Sequence, residues 1–261
     1  MKKSVLLSAV LAGGLVLWRR RSRNSHPPAL PPGDPRTPGT QALNLGAALL
    51  QSHAPVRAFN TYLDGFHFYA DDMGRQVEAH HYCSRLSEDF TQCVIFNGNT
   101  PEALLIGVEY IISERLFLAL PEEEKKLWHS HRYEVKSGQL IAPGVPEPAE
   151  RELMTRIVST YGKVWHTWDA SRDELPLGLP ALMMAFTADG QLDAERLSER
   201  NHRFGVSAMR RRRQRDSILE PEAIPGADAW QSGRTWQVNL EEREMTTPST
   251  RPERRPEEVM E

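Results

Sequence analysis

The strand-like run Phe90-Thr91-Gln92-Cys93-Val94-Ile95-Phe96 is followed by the turn Asn97-Gly98-Asn99 and the opening Thr100-Pro101-Glu102. Residues 103–117 then read Ala-Leu-Leu-Ile-Gly-Val-Glu-Tyr-Ile-Ile-Ser-Glu-Arg-Leu-Phe. A threonine that can cap, a proline suited to the first helical position and a glutamate near the positive end of the dipole predict a helix start at residue 100. The run that follows is apolar on most of its circumference. At about fifteen residues it is too short to span a bilayer, so it reads as a buried core helix. A strand followed by a core helix predicts an α+β domain.

The rest of the chain extends this reading. Residues 77–83 are short and mixed, as strands are. Pro121-Glu122-Glu123-Glu124-Lys125-Lys126 starts acidic and ends basic, the order a short helix prefers. His129, His131, Tyr133 and Val135 alternate with Ser130, Arg132 and Glu134, which predicts a strand presenting both histidines on one face. Residues 139–142 follow as its return strand. Residues 150–161 are amphipathic and Gly162 closes them. Residues 164–168 and 181–186 are further strand candidates, and Asp193 caps a last helix that Gly205 stops. The fold class expected is α+β, a single domain with a mixed or antiparallel sheet packed by a few helices.

Composition sets the domain limits. Residues 5–18 form an apolar run between Lys2-Lys3 and Arg19-Arg20-Arg21, with Arg23 beyond. Residues 1–24 therefore read as a signal-like segment or membrane anchor. The basic residues after the run resist translocation and favour an uncleaved anchor. Membrane association through this segment is the expected location, and the periplasm or exterior if it is cleaved. Residues 25–43, with six prolines before residue 40, form an extended linker. Residues 44–240 form the folded domain, and residues 241–261 a polar tail with the composition of disorder.

The net charge of −3 conceals a split. Outside the N-terminal cluster and the run Arg210-Arg211-Arg212-Arg213-Gln214-Arg215 the chain is acidic, which argues against nucleic acid as a partner. Two short basic clusters suit an anionic lipid surface better, with Arg210, Arg211, Arg212 and Arg213 as contact candidates. No protein partner is indicated. The two cysteines, Cys83 and Cys93, exclude a disulfide-dense scaffold and a four-cysteine zinc site. Their spacing permits a hairpin disulfide, and two free buried thiols are the alternative.

Trp128, His129, His131, Trp165, His166 and Trp168 crowd about forty residues. Both residue types are costly in a core unless their N–H groups find partners. His129 and His131 on one strand face suit a transition metal, zinc or iron, with His166, Glu109 or His80 as a third ligand. Glu109 stands out because it interrupts the most apolar segment of the chain, and a buried carboxylate must pair or ligate. The alternative is a hydrogen-bonded network without metal. No Gly-x-Ser-x-Gly, Walker or dinucleotide motif is present, so no catalytic residue is assigned.

Several longer runs carry a resemblance. They are Leu105-Ile106-Gly107-Val108-Glu109-Tyr110-Ile111-Ile112-Ser113, Leu120-Pro121-Glu122-Glu123-Glu124-Lys125-Lys126-Leu127-Trp128-His129-Ser130-His131, Tyr133-Glu134-Val135-Lys136-Ser137-Gly138, Tyr161-Gly162-Lys163 with Trp165-His166, Leu175-Pro176-Leu177-Gly178 and Phe204-Gly205-Val206. In this order they resemble the oil body-associated protein family over roughly residues 49–230. The resemblance implies association with lipid droplets, as in plant seeds, and carries over no catalytic residue. The apolar N-terminal segment and the proline linker depart from the plant pattern and read as a bacterial-type member, tethered to a membrane. Non-enzymatic association with lipid or membrane surfaces is the leading expectation, and a metal-binding protein or metalloenzyme built on His129 and His131 the alternative.

Overall fold

The computed structural model describes residues 31–245. The candidate anchor, the start of the proline linker and most of the C-terminal tail lie outside the described residues. Helix α1 (Pro38–Leu50) and the short α2 (Ala54–Arg57) lead into four strands: β1 (Thr61–Tyr69), β2 (Asp72–Ser87), β3 (Phe90–Phe96) and β4 (Leu105–Ser113). Short helices α3 (Glu114–Leu118) and α4 (Glu122–Lys125) precede β5 (His129–Ser130) and α5 (Arg132–Ser137). The chain continues through α6 (Glu147–Ile157), β6 (Thr160–His166), β7 (Ala181–Met184), α7 (Ala194–Phe204) and α8 (Ala208–Gln214), then a 3-10 turn at Ala229–Ser232.

The strands close on themselves. β1 to β4 form an antiparallel meander; β4 then pairs with β6, β6 with β7, and β7 returns to β1. Tiny β5 continues the β7 side of β6. The result is a closed antiparallel barrel of six principal strands, which overturns the expected sheet packed by helices. Closure leaves these strands without a free edge along their paired lengths, which removes unpaired backbone groups without help from helices.

The decisive misreading is residues 103–117. Residues 105–113 are strand β4, and only Glu114–Leu118 is helical, capped by Ser113 rather than Thr100. The inner residues of β4 are buried in the barrel and Ile112 is covered on the outer face, while Tyr110 is exposed, so the run is apolar enough to resemble a buried helix. Ile106, Val108, Ile111 and Ile112 supply the β-branched density that favours the strand. The histidine strand is also shorter than expected. Only His129 and Ser130 are extended; Arg132–Ser137 is a helical turn ended by Gly138 in the left-handed region (φ 79°). Residues 139–142 make a single bridge, Asp64 to Ile141, instead of a strand. Gly162, expected to end a helix, sits inside β6. The β3 and α7 expectations hold, the latter with Asp193 accepting from the amides of Glu195 and Arg196.

The barrel interior is layered. Leu63, Cys83, Cys93 and Ile111 pack with Val135, Leu140, Met154 and Ile157 from α5, α6 and their connection, forming one apolar layer. Tyr69, Ala79, Ile95, Ile106, Val164 and Met183 form the other. Outside the barrel, Phe66, Phe68, Leu182 and Met184 are covered by Leu197 of α7 and by Trp230 and Trp236 of the C-terminal segment. Cys83 and Cys93 stand opposite each other on β2 and β3 and form a disulfide, which settles the choice spacing left open.

Candidate functional site

Between the two apolar layers lies a polar one. Side chains on paired strands share a face when their Cα atoms are partners, and alternate along each strand. Leu63 opposes His81, Cys93 opposes Glu109, Gly107 opposes His166, and Gly162 opposes both Ile111 and His129. Register and alternation therefore place His67, His81, Glu109, His129 and His166 on the inner wall. All five are buried, His129 completely.

Glu109 is the centre of the group. His81 Nε2 lies 3.0 Å from Glu109 Oε2, and His129 Nε2 lies 3.5 Å from Oε1. Neither histidine nitrogen is in line for a hydrogen bond. His131 Nε2 donates to Oε1 at 3.3 Å from the start of α5. His67 stands edge-on to His81, with ring centres 5.0 Å apart, and its Nδ1 is 3.4 Å from His166 Nε2. Glu134 reaches in from α5, its Oε2 3.9 Å from His129 Nε2.

Glycine makes the room. A Cβ on Gly162 would stand 2.1 Å from Glu109 Oε1 and 2.8 Å from His129 Nε2. One on Gly107 would meet Trp165 O at 2.5 Å and His166 Cδ2 at 2.8 Å. A cavity of about 10 Å³ touches His67, His81, Glu109, His131 and Glu134. That is roughly the space of one water-sized sphere.

The protonation states follow from the hydrogen bonds. Thr160 Oγ1 donates to Ile157 O, so it can only accept from His131 Nδ1, 2.8 Å away. With Nε2 donating to Glu109, His131 carries both protons. Burial disfavours its charge, but the Glu109 carboxylate outweighs burial and raises its pKa. Burial likewise opposes ionisation of Glu109, yet its contacts with His131 and His81 hold the carboxyl well below its usual range. Desolvation drives His129 and His166 down to about 3, so both rings are neutral at pH 7. Burial pushes Glu134 up to about 8. Both ring nitrogens of His129, Nδ1 of His166 and Oε2 of Glu134 have no hydrogen-bond partner.

Of the residues expected from sequence, the fold brings Glu109, His129, His131 and His166 together. His80 faces the opposite side of β2, because adjacent strand residues point to opposite faces. There it joins a second polar group. Its Nδ1 shares a 2.7 Å hydrogen bond with Tyr62 Oη and lies 3.2 Å from Asp64 Oδ2. Arg200 of α7 pairs with Asp64 at 2.9 Å, and Arg203 pairs with Glu78. Sequence reasoning assigned no ligand role to His67, His81 or Glu134. The alternation of residues 61–69 was the available signal for His67.

The arginine run lies on α8. Arg211 pairs with Glu150 at 2.9 Å and Arg212 with Asp189 at 2.8 Å. Arg210 and Arg213 are exposed, Arg210 reaching Glu147 at 3.4 Å. Arg215 is buried and donates to the carbonyls of Val135 and Leu140. Among the described residues no helix is long and apolar enough to cross a membrane.

The fold and site define a small closed β-barrel with an acid–histidine layer in place of part of its apolar core. Residues 53–219 match the family model described as a protein of unknown function (DUF1264). The chain is 50% identical to oil body-associated protein 1B of Arabidopsis thaliana over 192 residues, 73% of this chain and 80% of that protein. It is 49% identical to oil body-associated protein 1A of Zea mays over 73% of this chain and 81% of that protein. With oil body-associated protein 2C of Arabidopsis thaliana it shares 40% identity over 83% of this chain and 93% of that protein. The chain belongs to the oil body-associated protein family. These plant relatives lend no support to the bacterial-type reading. No solved structure matches.

Proposed function

We propose that this protein associates peripherally with a lipid surface and that helix α1 makes the contact. The observation that carries the reading is an apolar helix with nothing buried: Leu43, Leu45, Leu49 and Leu50 of α1 are 63–88% exposed. The barrel has its own core and does not use them. Thr40, Gln41 and Asn44 occupy the remaining arc of the helix, which holds no charged residue. Burying a leucine is worth roughly 1.5–3 kcal/mol, so four on one short helix can hold it at an interface. The relatives' name, oil body-associated, favours a lipid occupant over a second copy of the chain. The apolar segment of residues 1–24 and the outward Arg210 and Arg213 would add to the attachment.

The test is flotation of the full chain with phospholipid-coated triacylglycerol droplets. Co-flotation is expected. The variant Leu43→Ser/Leu45→Ser/Leu49→Ser/Leu50→Ser should lose most of it, and deletion of residues 1–24 should lose less. Undiminished flotation of the leucine variant would remove α1 from the reading. A stable dimer that buries these leucines and ignores droplets would replace lipid with a second copy.

A further inference from the structure

We propose that the barrel interior is a centre for one divalent first-row transition ion, held by Glu109, His129 and His67, with His81 beside Glu109. His67, Glu109 and His129 each place one ligand atom within 4.8 Å of the others. The Glu109–His81 and Glu109–His129 separations, 3.0 and 3.5 Å, lack hydrogen-bond alignment. Metal–ligand bonds of 2.0–2.1 Å in a tetrahedron place neighbouring donors about 3.4 Å apart, and the 3.5 Å between Glu109 Oε1 and His129 Nε2 is such a spacing. The orphaned nitrogens of His129 are the second sign. A buried imidazole used only for packing would have at least one nitrogen bonded.

The donor set selects the ion. Imidazole with one carboxylate suits zinc or ferrous iron, whereas calcium and magnesium take oxygen ligands. Three protein donors leave one tetrahedral position to a further ligand, and His81 lies near it only through Glu109, at 3.0 Å. The small cavity beside His67, His81 and Glu109 has no room for an organic substrate. His131 positions the Glu109 carboxylate from outside the ligand set, through its bonds to Glu109 and Thr160. The inference is independent of the lipid reading, because this layer is inside the barrel and α1 is outside it.

The experiment uses the full chain, purified without chelator and analysed for bound elements. One equivalent of zinc or iron per chain is expected. After chelator treatment, Zn²⁺ should bind stoichiometrically and raise Tm, and Co²⁺ should give tetrahedral visible absorption. Glu109→Gln and His129→Gln should drop the stoichiometry towards zero, while His80→Gln, on the other face of β2, keeps it. His131→Gln should weaken binding by about 10–100-fold, as loss of an orienting residue does. X-ray absorption of the unsubstituted zinc form guards against variants that fail to fold, and a shell of mixed nitrogen and oxygen is expected. No stoichiometric metal together with no Zn²⁺-dependent rise in Tm would overturn the proposal. So would a sulfur-rich or all-oxygen shell, or equal binding by a folded Glu109→Gln variant.

Discussion

A Cβ atom on Gly162 would stand 2.1 Å from Oε1 of Glu109, a distance no pair of non-bonded atoms tolerates. Gly162 is central in β6, where glycine is otherwise a poor choice, and its φ is not in the left-handed region. Its use there is to leave space for the carboxylate and for His129. Gly162→Ala is expected to destabilise the barrel by about 1–3 kcal/mol through overpacking. Chemical denaturation measures it, and a variant as stable as the parent would show that the carboxylate has room to move.

Arg200 and Asp64 are both fully buried and paired at 2.9 Å, and Arg200 also donates to the carbonyls of Gln139 and Gly138. Removing one partner of such a pair strands the other charge, which costs about 3–5 kcal/mol. Arg200→Met should lose that much stability. The double variant Arg200→Met/Asp64→Asn should recover part of it, and a double-mutant cycle without coupling would contradict the pairing.

The disulfide between Cys83 and Cys93 closes an eleven-residue loop within one hairpin. Chain entropy alone assigns such a loop about 3 kcal/mol. The unfolded, unreduced chain should show no free thiol and the reduced chain two. Reduction should lower unfolding free energy by about 2–3 kcal/mol. Two thiols without reductant would mean the pair is not bonded.

Acid should unfold the metal-free chain steeply. His129 and His166 stay neutral down to about pH 3 when folded, through burial, but protonate near pH 6.5 when unfolded. The unfolded state therefore binds more protons below pH 6.5, and each histidine removes about 1.4 kcal/mol per pH unit. Glu134, raised to about 8 by burial, works in the opposite sense above its unfolded value near 4.3. Below that value its opposition ends. Glu109, held low by His131 and His81, then adds its own loss. Denaturation at a series of pH values should show the sharpest fall between about pH 4.5 and 3.5. A flat profile there would show that these histidines titrate normally.

Much of the local structure was legible from residue order alone. The strand at residues 90–96, the acidic-to-basic order of residues 122–126, and the capped helix with Asp193 at one end and Gly205 at the other all appear as expected. The crowding of histidine and tryptophan after Trp128 and the lone Glu109 in an apolar run marked four members of the interior group. Each of these signals is local, so propensity, capping and periodicity suffice to read it.

Closure of the barrel and membership of its polar layer were not legible in this way. An apolar run such as residues 105–113 has the same composition whether a helix buries it or a barrel wall does, and only the pairing of β4 with β6 decides. His80 and His81 are equivalent as letters. One faces Arg200 and Asp64 outside, the other Glu109 inside, because strand register assigns neighbouring residues to opposite faces. The sequence by itself determined which residues could not be left unpartnered in a core. The tertiary structure decided which of them meet, because that depends on strand pairings between residues distant in the chain, which no local preference encodes.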